Sequence, residues 1–479
     1  MSPFKVIIVG AGLSGSLLAN GLIRHDVNVA VYERLDRNVK REGYQIRMGA
    51  NALAGFRACL DKEHIDKIIS KFGKSGGRIS SAPVVYGSDF KPLLDFTKFP
   101  TYSKSAPINR VTLRDALADP VYDAGRMHYN KEFDRYEIVT DNKGRELVRV
   151  WFKDGSSDTA DILIGADGSH SKINKQLGLN NIKAVKTHTN FVLKADLPTS
   201  KYLAMKPELH RTPVLTFSDN KALYFCGKTP GTKSKRRNKT DLYVAYLPDR
   251  ESVEEDTTKP SVKFDDTMSS CMFGLFVPTS TVPEGLTTKP AEEQWDFCKS
   301  SIKNWAPEYH EILDLIKGSN FYAFTPRVGT VPSIDWRATV KNSNDETFGH
   351  PRVWLMGDAI HPMLPSRGMG GNQALRDTAT LLPLLIEISQ VSESGKTSTT
   401  ETVAKLLRSY EAEMIPRAFG WVTKSGGTTV VPFDSDKLYV RLACLLIVAP
   451  LMITSNWVSK LLGFVRTKPV VDDAPEFKD

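Results

Sequence analysis

The N-terminal hydrophobic pattern changes twice between two kinds of spacing. The run KVIIV is continuously apolar, LSGSLLANGLI carries apolar residues at helical spacing, and NVAVYE is again a short apolar run. Continuous apolar runs predict strands buried on both faces, and the helical spacing predicts an amphipathic helix. The chain therefore opens with a strand–helix–strand unit typical of a parallel sheet.

A related pattern returns late in the chain. The apolar run RVWLM leads into GDAIHPMLPSRGMGGN, and apolar residues at helical spacing follow in QALRDTATLLPLL. This predicts a strand, a glycine-rich loop and a helix. Such a loop brings backbone N–H groups to an electron-rich ligand at a helix N-terminus. We expect a ligand at this loop.

Between these units the pattern alternates. ALYFCGK, DLYVAYLP and CMFGLFVP are joined by long polar loops, which predicts a mainly antiparallel sheet. The predicted fold class is α/β with an α+β insert. We expect a discontinuous Rossmann-like domain formed by residues 1–180 and 346–425, a β-sheet substrate domain at 181–345, and a hydrophobic helical segment with a tail at 426–479.

The C-terminal segment is largely apolar from residue 439 to 466, but Pro450 interrupts it and three polar residues follow at 454–456. A membrane-spanning helix needs about 20 apolar residues. The pattern favours a buried or interfacial helix pair, with a membrane anchor as the alternative. The N-terminus lacks the pattern of a secretory signal, so we expect a cytoplasmic protein with possible peripheral membrane contact.

Composition narrows the function. With 479 residues, of which 41% are hydrophobic, the chain can bury the cores of two or more domains. The scattered cysteines form no pair or cluster at metal spacing, so we expect neither a metal nor disulfides; they are Cys59, Cys226, Cys271, Cys298 and Cys444. The net charge of +9 is modest, and the basic run at 228–240 contains Pro, Gly and Ser, which favours a solvated loop over a nucleic-acid contact.

The first turn carries a dinucleotide-binding pattern. Gly10, Gly12 and Gly15 form G-x-G-x-x-G after the first strand, and Glu33 ends the second strand. Glycines let a pyrophosphate approach the helix N-terminus, and an acid about 20 residues further on can accept a hydrogen bond from a ribose 2′-hydroxyl. The acid favours FAD or NAD over NADP. The neighbouring residues expected to contact the dinucleotide are Leu13, Ser14 and Arg34.

Three motifs now stand in order: G-x-G-x-x-G, GADG in the middle, and GDAIHPMLPSRGMGGN late. Together they resemble the single-component FAD-dependent aromatic hydroxylases, the para-hydroxybenzoate hydroxylase-like (group A) flavoprotein monooxygenases. PSRGMGGNQAL is most similar to the fungal members that act in natural-product biosynthesis. The resemblance covers about residues 4 to 425.

The resemblance implies FAD as cofactor and NADPH or NADH as co-substrate. Asp358 would bind the ribityl chain, and Arg110 of the R-x-x-L helix would reach FAD. The late loop would hold the pyrimidine end of the flavin ring, where a helix N-terminus stabilises the reduced form; its residues are Pro365, Gly368, Gly370, Gly371 and Asn372.

The resemblance also assigns a role to the middle motif. Asp167 and Gly168 match a pair associated with both FAD and the nicotinamide cofactor, but Asn174 stands where the family usually has arginine. The match at the nicotinamide contact is therefore incomplete. His361 would support the late loop, and Arg47 could face the flavin ring.

The implied reaction is hydroxylation or epoxidation of a hydrophobic aromatic or polycyclic small molecule, with dioxygen activated as a flavin C4a-hydroperoxide. The sequence does not identify the catalytic residues, and the candidates rest on location alone: Arg47, Lys194, Arg211, Tyr224 and Tyr246. Baeyer–Villiger oxygenation and squalene-epoxidase-like terpenoid epoxidation remain open.

Other reactions on related folds fit less well. The chain lacks the W-x-W-x-I-P motif of flavin halogenases, and Cys59 has no redox partner near the first helix, as a disulfide reductase would need. A non-catalytic nucleotide-binding or membrane-associated scaffold would not need the late glycine-rich loop.

Overall fold

The computed structural model describes residues 4–39, 45–72, 83–96, 106–142, 144–228, 267–341, 345–393, 399–451, 453–454 and 457–458. Two cores organise these residues. The larger core lies around a parallel sheet, and the smaller one lies under an antiparallel sheet.

The parallel sheet has five described strands, which are β1 Lys5–Val9, β2 Asn28–Tyr32, β7 Met127–His128, β11 Ile162–Gly165 and β19 Val353–Leu355. Their order in the sheet is β19-β11-β1-β2-β7. Their runs are short and apolar because both faces are covered. An antiparallel meander adds to the same core, formed by β8 Phe133–Thr140, β9 Glu146–Phe152 and β10 Ser157–Ala160.

Helices complete this domain. They are α1 Leu13–Arg24, α2 Ala50–Cys59, α3 Lys62–Ser70, α4 Arg110–Asp123, α5 Lys172–Gln176, α10 Trp336–Val340, α11 Gly370–Glu393 and α12 Thr400–Lys424. The two glycine-rich segments directly follow β1 and β19. Both therefore lie at the carboxyl edge of the parallel sheet, where ligands bind in open α/β folds.

The second sheet has seven described strands, which are β4 Val84–Tyr86, β5 Pro92–Asp95, β13 His188–Pro198, β14 Val214–Ser218, β15 Lys221–Lys228, β16 Met268–Pro278 and β17 Tyr322–Phe324. Their order in the sheet is β17-β13-β16-β15-β14-β4-β5, and among these described strands only the β14–β4 pair is parallel. The remaining helices are α6 Thr199–Leu203, α7 Pro207–Arg211, α8 Ala291–Ser301, α9 Pro307–Leu315 and α13 Leu438–Ala443.

Two short ladders connect the parts. One pairs β3 Gln45–Met48 with β6 Ala106–Asn109, and the other pairs β12 Ile182–Ala184 with β18 Arg327–Gly329. The predicted Rossmann-like fold with a mainly antiparallel insert is confirmed. The predicted domain boundary at residue 181 needs correction. The inserted sheet also contains β4 and β5, which precede that residue in the chain.

The C-terminal segment differs from the predicted helix pair. Within the described residues it is one helical run, α13 followed by a π-turn at Cys444–Val448. One side packs on the inserted sheet, and the other exposes large apolar side chains. No helix in the described part of the chain is long and apolar enough to span a membrane.

Candidate functional site

The first glycine turn opens onto free space. A Cβ at Gly10 would lie 2.3 Å from the Ala166 carbonyl oxygen, and one at Gly15 would lie 2.1 Å from the Gly10 carbonyl oxygen. At Gly12, no described atom would lie within 4 Å of a Cβ, and no side chain caps α1. The helix thus presents unsatisfied N–H groups to a space that a phosphate can enter.

Glu33 lies beside this turn at the end of β2. Its buried carboxylate accepts hydrogen bonds from the N–H groups of Ala11, at 3.0 Å, and Leu35, at 3.1 Å. The predicted ribose acid therefore also holds the glycine turn in place. Ser14 faces Gly357 of the late loop, and Arg34 is exposed next to Glu33.

Asp358 lies in the late loop, in a 3₁₀ turn that follows Gly357, whose φ is +58°. Its side chain is open to solvent, and within the described chain its carboxylate has no hydrogen-bond partner. Surrounding protein still desolvates it and raises its pKa, while His361 and Arg110 act in the opposite direction. The Asp358 carboxylate is thus accessible to solvent but surrounded by protein, as it would be in a cleft. In this position it can accept hydrogen bonds from a ligand.

The loop next joins α11. Gly368 has φ +63° and precedes the helix, and one Asp358 carboxylate oxygen would lie 3.9 Å from a Cβ at Gly370. Asn372 is buried, accepting from the Gly49 N–H at 2.8 Å and donating to the Arg47 carbonyl at 2.7 Å. The asparagine side chain thus fastens the start of α11 to the end of β3.

Other predicted residues surround the same cleft. Met48 lies against Gly371, since a Cβ there would approach the Met48 Cε at 3.3 Å. Arg110 begins α4 directly after its N-cap Asn109. Pro365 is exposed and opens a 3₁₀ turn before the helix.

The middle motif reaches the cleft at the end of β11. Gly168 has φ +80°, and one oxygen of Asp167 caps α5 by accepting from the Lys172 N–H at 2.9 Å. The other oxygen is buried without a hydrogen-bond partner, and burial raises the pKa of this carboxyl. The Lys172 ammonium is already paired with Glu132 at 2.8 Å.

Asp377, which belongs to no predicted motif, supports the Asp358 loop from α11. Its fully buried carboxylate accepts from the Gly357 N–H at 2.8 Å and bonds His361 Nε2 at 2.7 Å. Arg417 pairs with its second oxygen at 2.9 Å. The expected structural role of His361 agrees with this contact. Asp377 could be recognised only from its position on the buried face of a helix.

The inserted sheet has one face covered by α8 and α9 and one face partly open. Strand register places the side chains of the open face together; they include Asn190, Val192, Lys194, Asp196, Tyr224, Cys226, Met272 and Phe276. Lys194 and Asp196 form an ion pair at 2.8 Å, each about nine-tenths buried at 11% and 12% exposure. The structure thus brings candidates Lys194 and Tyr224 to one surface. Tyr246 and the side chain of Arg211 lie outside the described residues.

Residues 425–435 connect the cofactor loop with this sheet face. The Ser425 carbonyl accepts from the Ser366 hydroxyl at 2.8 Å, and the Phe433 ring lies 5.1 Å from the Phe217 ring on the sheet. This segment therefore contacts the late glycine-rich loop at its start and the open face at its end.

Three features fit FAD: the open N-terminus of α1, the free carboxylate of Asp358 and the unpartnered oxygen of Asp167. The described residues contain no His, Cys, Asp or Glu group that could hold a metal ion. The clefts at both glycine-rich turns would hold the two halves of one dinucleotide.

Residues 323–425 match the FAD binding domain family. The chain is 27% identical over 444 residues, 88% of its length, to a dual O-methyltransferase/FAD-dependent monooxygenase of Phaeosphaeria nodorum. It is 25% identical over 423 residues, 86% of its length, to the chloroplastic zeaxanthin epoxidase of Oryza sativa. It spans about half of these relatives, 45% and 53%.

The structure of Klebsiella pneumoniae HpxO complexed with FAD and uric acid has the same fold, with a TM-score of 0.61 and 19% identity, covering 96% of this chain and 95% of that one. The ordered motifs, the fold and these likenesses make the chain similar to FAD-dependent monooxygenases, and the matched FAD binding domain gives FAD as its cofactor.

Proposed function

We propose that this chain uses NADPH or NADH and dioxygen to hydroxylate or epoxidise a hydrophobic aromatic or polycyclic small molecule, of the kind found in natural-product biosynthesis. The observation that carries the proposal is the partly open sheet face, which residues 425–435 link to the cofactor loop. It combines apolar side chains with the enclosed Lys194–Asp196 pair.

Bound FAD would supply the electron transfer and the activation of dioxygen. The chain would hold its pyrophosphate at Gly12 and its ribityl chain at Asp358. On the sheet, Val192, Met272 and Phe276 would cover an apolar substrate and exclude water. Lys194 or Tyr224 would orient a substrate hydroxyl group.

Hydroxylation and epoxidation each have support. One relative is named as an epoxidase, and one structural neighbour holds uric acid, a heteroaromatic molecule. Baeyer–Villiger oxygenation and squalene-epoxidase-like epoxidation of a terpenoid are the alternatives on the same site.

The test is incorporation of isotopically labelled dioxygen. FAD-loaded protein would be mixed with NADPH or NADH and a panel of phenolic polyketides and terpenoid alkenes, and the products would be weighed by mass spectrometry. We expect one labelled oxygen atom in a product and faster nicotinamide oxidation with that substrate. A bound flavin that is reduced but never transfers labelled oxygen would contradict the proposal.

Within this experiment, Lys194→Met tests the role of the sheet face. The matched control is Lys186→Met, which changes an exposed lysine. We expect Lys194→Met to lose product formation while it retains FAD, because Lys194 lies on the sheet and not at the dinucleotide cleft. Unchanged turnover in Lys194→Met would remove Lys194 from the site.

A further inference from the structure

Two buried side-chain amides hold the backbone that follows Asp358. Asn174 Nδ2 donates to the Ala359 carbonyl at 2.8 Å, and Asn181 Nδ2 donates to the Ile360 carbonyl at 2.9 Å. Asn174 Nδ2 also donates to Asn181 Oδ1 at 2.8 Å. The two residues are 2% and 4% exposed, so water does not compete for these bonds.

The same pair contacts the return from the inserted sheet domain. Asn181 Nδ2 donates to the Thr330 carbonyl at 2.9 Å, and the Thr330 N–H donates to the Asn181 carbonyl at 2.8 Å. Nearby, a Cβ at Gly329 would lie 2.8 Å from the Ile360 carbonyl oxygen. The amide pair therefore lies where α5, the Asp358 segment and β18 meet.

We infer that Asn174 and Asn181 are positioning residues for FAD, acting through Asp358. Together with Asp377 they fix the backbone of residues 357–361, so that the Asp358 carboxylate stays aimed into the cleft. At this departure from the family motif, Asn174 is turned inward and binds the backbone of the cofactor loop instead of facing the surface.

An isosteric change tests the inference. In wild type, the Asn174 NH₂ group donates to the Ala359 carbonyl and to Asn181 Oδ1. In Asn174→Asp an oxygen atom takes the place of this group and repels both acceptors. Asn20→Asp is the matched control, because Asn20 Nδ2 likewise donates to two carbonyls, those of Ser16 and Leu117, but between α1 and α4.

Three quantities would be measured on each variant: FAD affinity, the visible circular dichroism of bound FAD at saturation, and the melting temperature of the FAD-free protein. We expect Asn174→Asp to bind FAD about tenfold more weakly or worse and to alter the circular dichroism of the bound flavin. Asn20→Asp should lower the melting temperature without either change.

If Asn174→Asp fails to fold, Asn174→Ala tests the same bonds without a buried charge. Wild-type affinity and circular dichroism in a folded Asn174 variant would overturn the inference, as would losses no larger than those of the Asn20 variant. These measurements need no substrate and no turnover. Their outcome therefore does not depend on whether the protein transfers oxygen.

Discussion

Gly12 and Gly15 belong to one motif, but their surroundings require glycine for different reasons. A side chain at Gly15 would collide with the backbone of the turn itself, whereas a Cβ at Gly12 would have no atom of the described residues within 4 Å. Gly15 is therefore needed for the fold, whereas we expect Gly12 to be needed for the approach of the dinucleotide.

Gly12→Ala should leave the melting temperature of the FAD-free protein close to wild type and weaken FAD binding at least tenfold, because the new methyl group lies where the pyrophosphate approaches. Gly15→Ala should lower both stability and binding. Calorimetry and FAD titration would separate the two. Normal FAD affinity in Gly12→Ala would place the pyrophosphate elsewhere.

Asp358→Asn should have opposite effects on stability and binding. The pKa of Asp358 is raised in the folded protein above its ordinary value of 3.8. The folded state thus holds its proton more tightly, so ionisation destabilises the FAD-free protein as pH rises through the raised pKa. FAD-free Asp358→Asn should melt above wild type at pH 7, and the difference should vanish below pH 3.8.

The same variant should bind FAD more weakly by about 1.5–3 kcal/mol, the contribution of a hydrogen bond to a charged group. Melting curves across pH and FAD titration are the measurements. A melting-temperature gain that persists at low pH would assign the effect to packing instead of charge.

At the scale of elements, the C-terminal helix is fastened to the inserted sheet. Val440, Cys444 and Val448 pack in one cluster with Leu215 and Phe217 of the sheet. The Arg441 guanidinium forms two bonds to Asp89, at 2.9 and 3.0 Å, and one to Asp436 at 2.9 Å. The helix thus covers the β14–β4–β5 end of the open face.

Arg441→Lys should loosen this helix, because an ammonium group keeps the charge but cannot make the planar two-point contact. We expect limited proteolysis within residues 431–451 to become about fivefold faster, the effect of losing about 1 kcal/mol. Lys437→Ala is the control, since its contact with Asp434 is 4.0 Å long and exposed. Equal cleavage rates in both variants would show that apolar packing alone holds the helix.

At the scale of the whole molecule, the cofactor cleft joins parts of the chain that are far apart in sequence. The turns after β1, β11 and β19 and the starts of α4 and α11 all contribute. A ligand that bridges them should stabilise the entire parallel-sheet domain.

FAD at one hundred times its Kd should stabilise the protein by about 2.7 kcal/mol. FMN should stabilise it less, because it lacks the adenosine and second phosphate that would lie at Gly12 and Glu33. Thermal unfolding with each flavin would measure the difference, and Gly12→Ala would serve as the control. An equal shift with FMN at the same concentration would mean that the first glycine turn does not bind the dinucleotide.

The sequence pattern predicted those parts of the protein whose structure depends on residues close by in the sequence. The β1–α1–β2 unit, the loop before α11 and the alternating strands of the insert follow from hydrophobic period and glycine placement, which act within a few residues. The motifs were readable for the same reason: a phosphate-binding turn needs its glycines at fixed spacing.

The tertiary structure decided what depends on distant partners. Asn174 is 185 residues from the Ala359 carbonyl that it binds, and Asp377 resembles any polar residue of a helix until Gly357 and His361 are brought beside it. β4 and β5 joined the inserted sheet because its edge strand offered unpaired hydrogen-bonding groups. Burial and hydrogen-bond partners are set by the folded chain as a whole, so the sequence determined which dinucleotide chemistry to expect, and the fold determined which residues hold it in place.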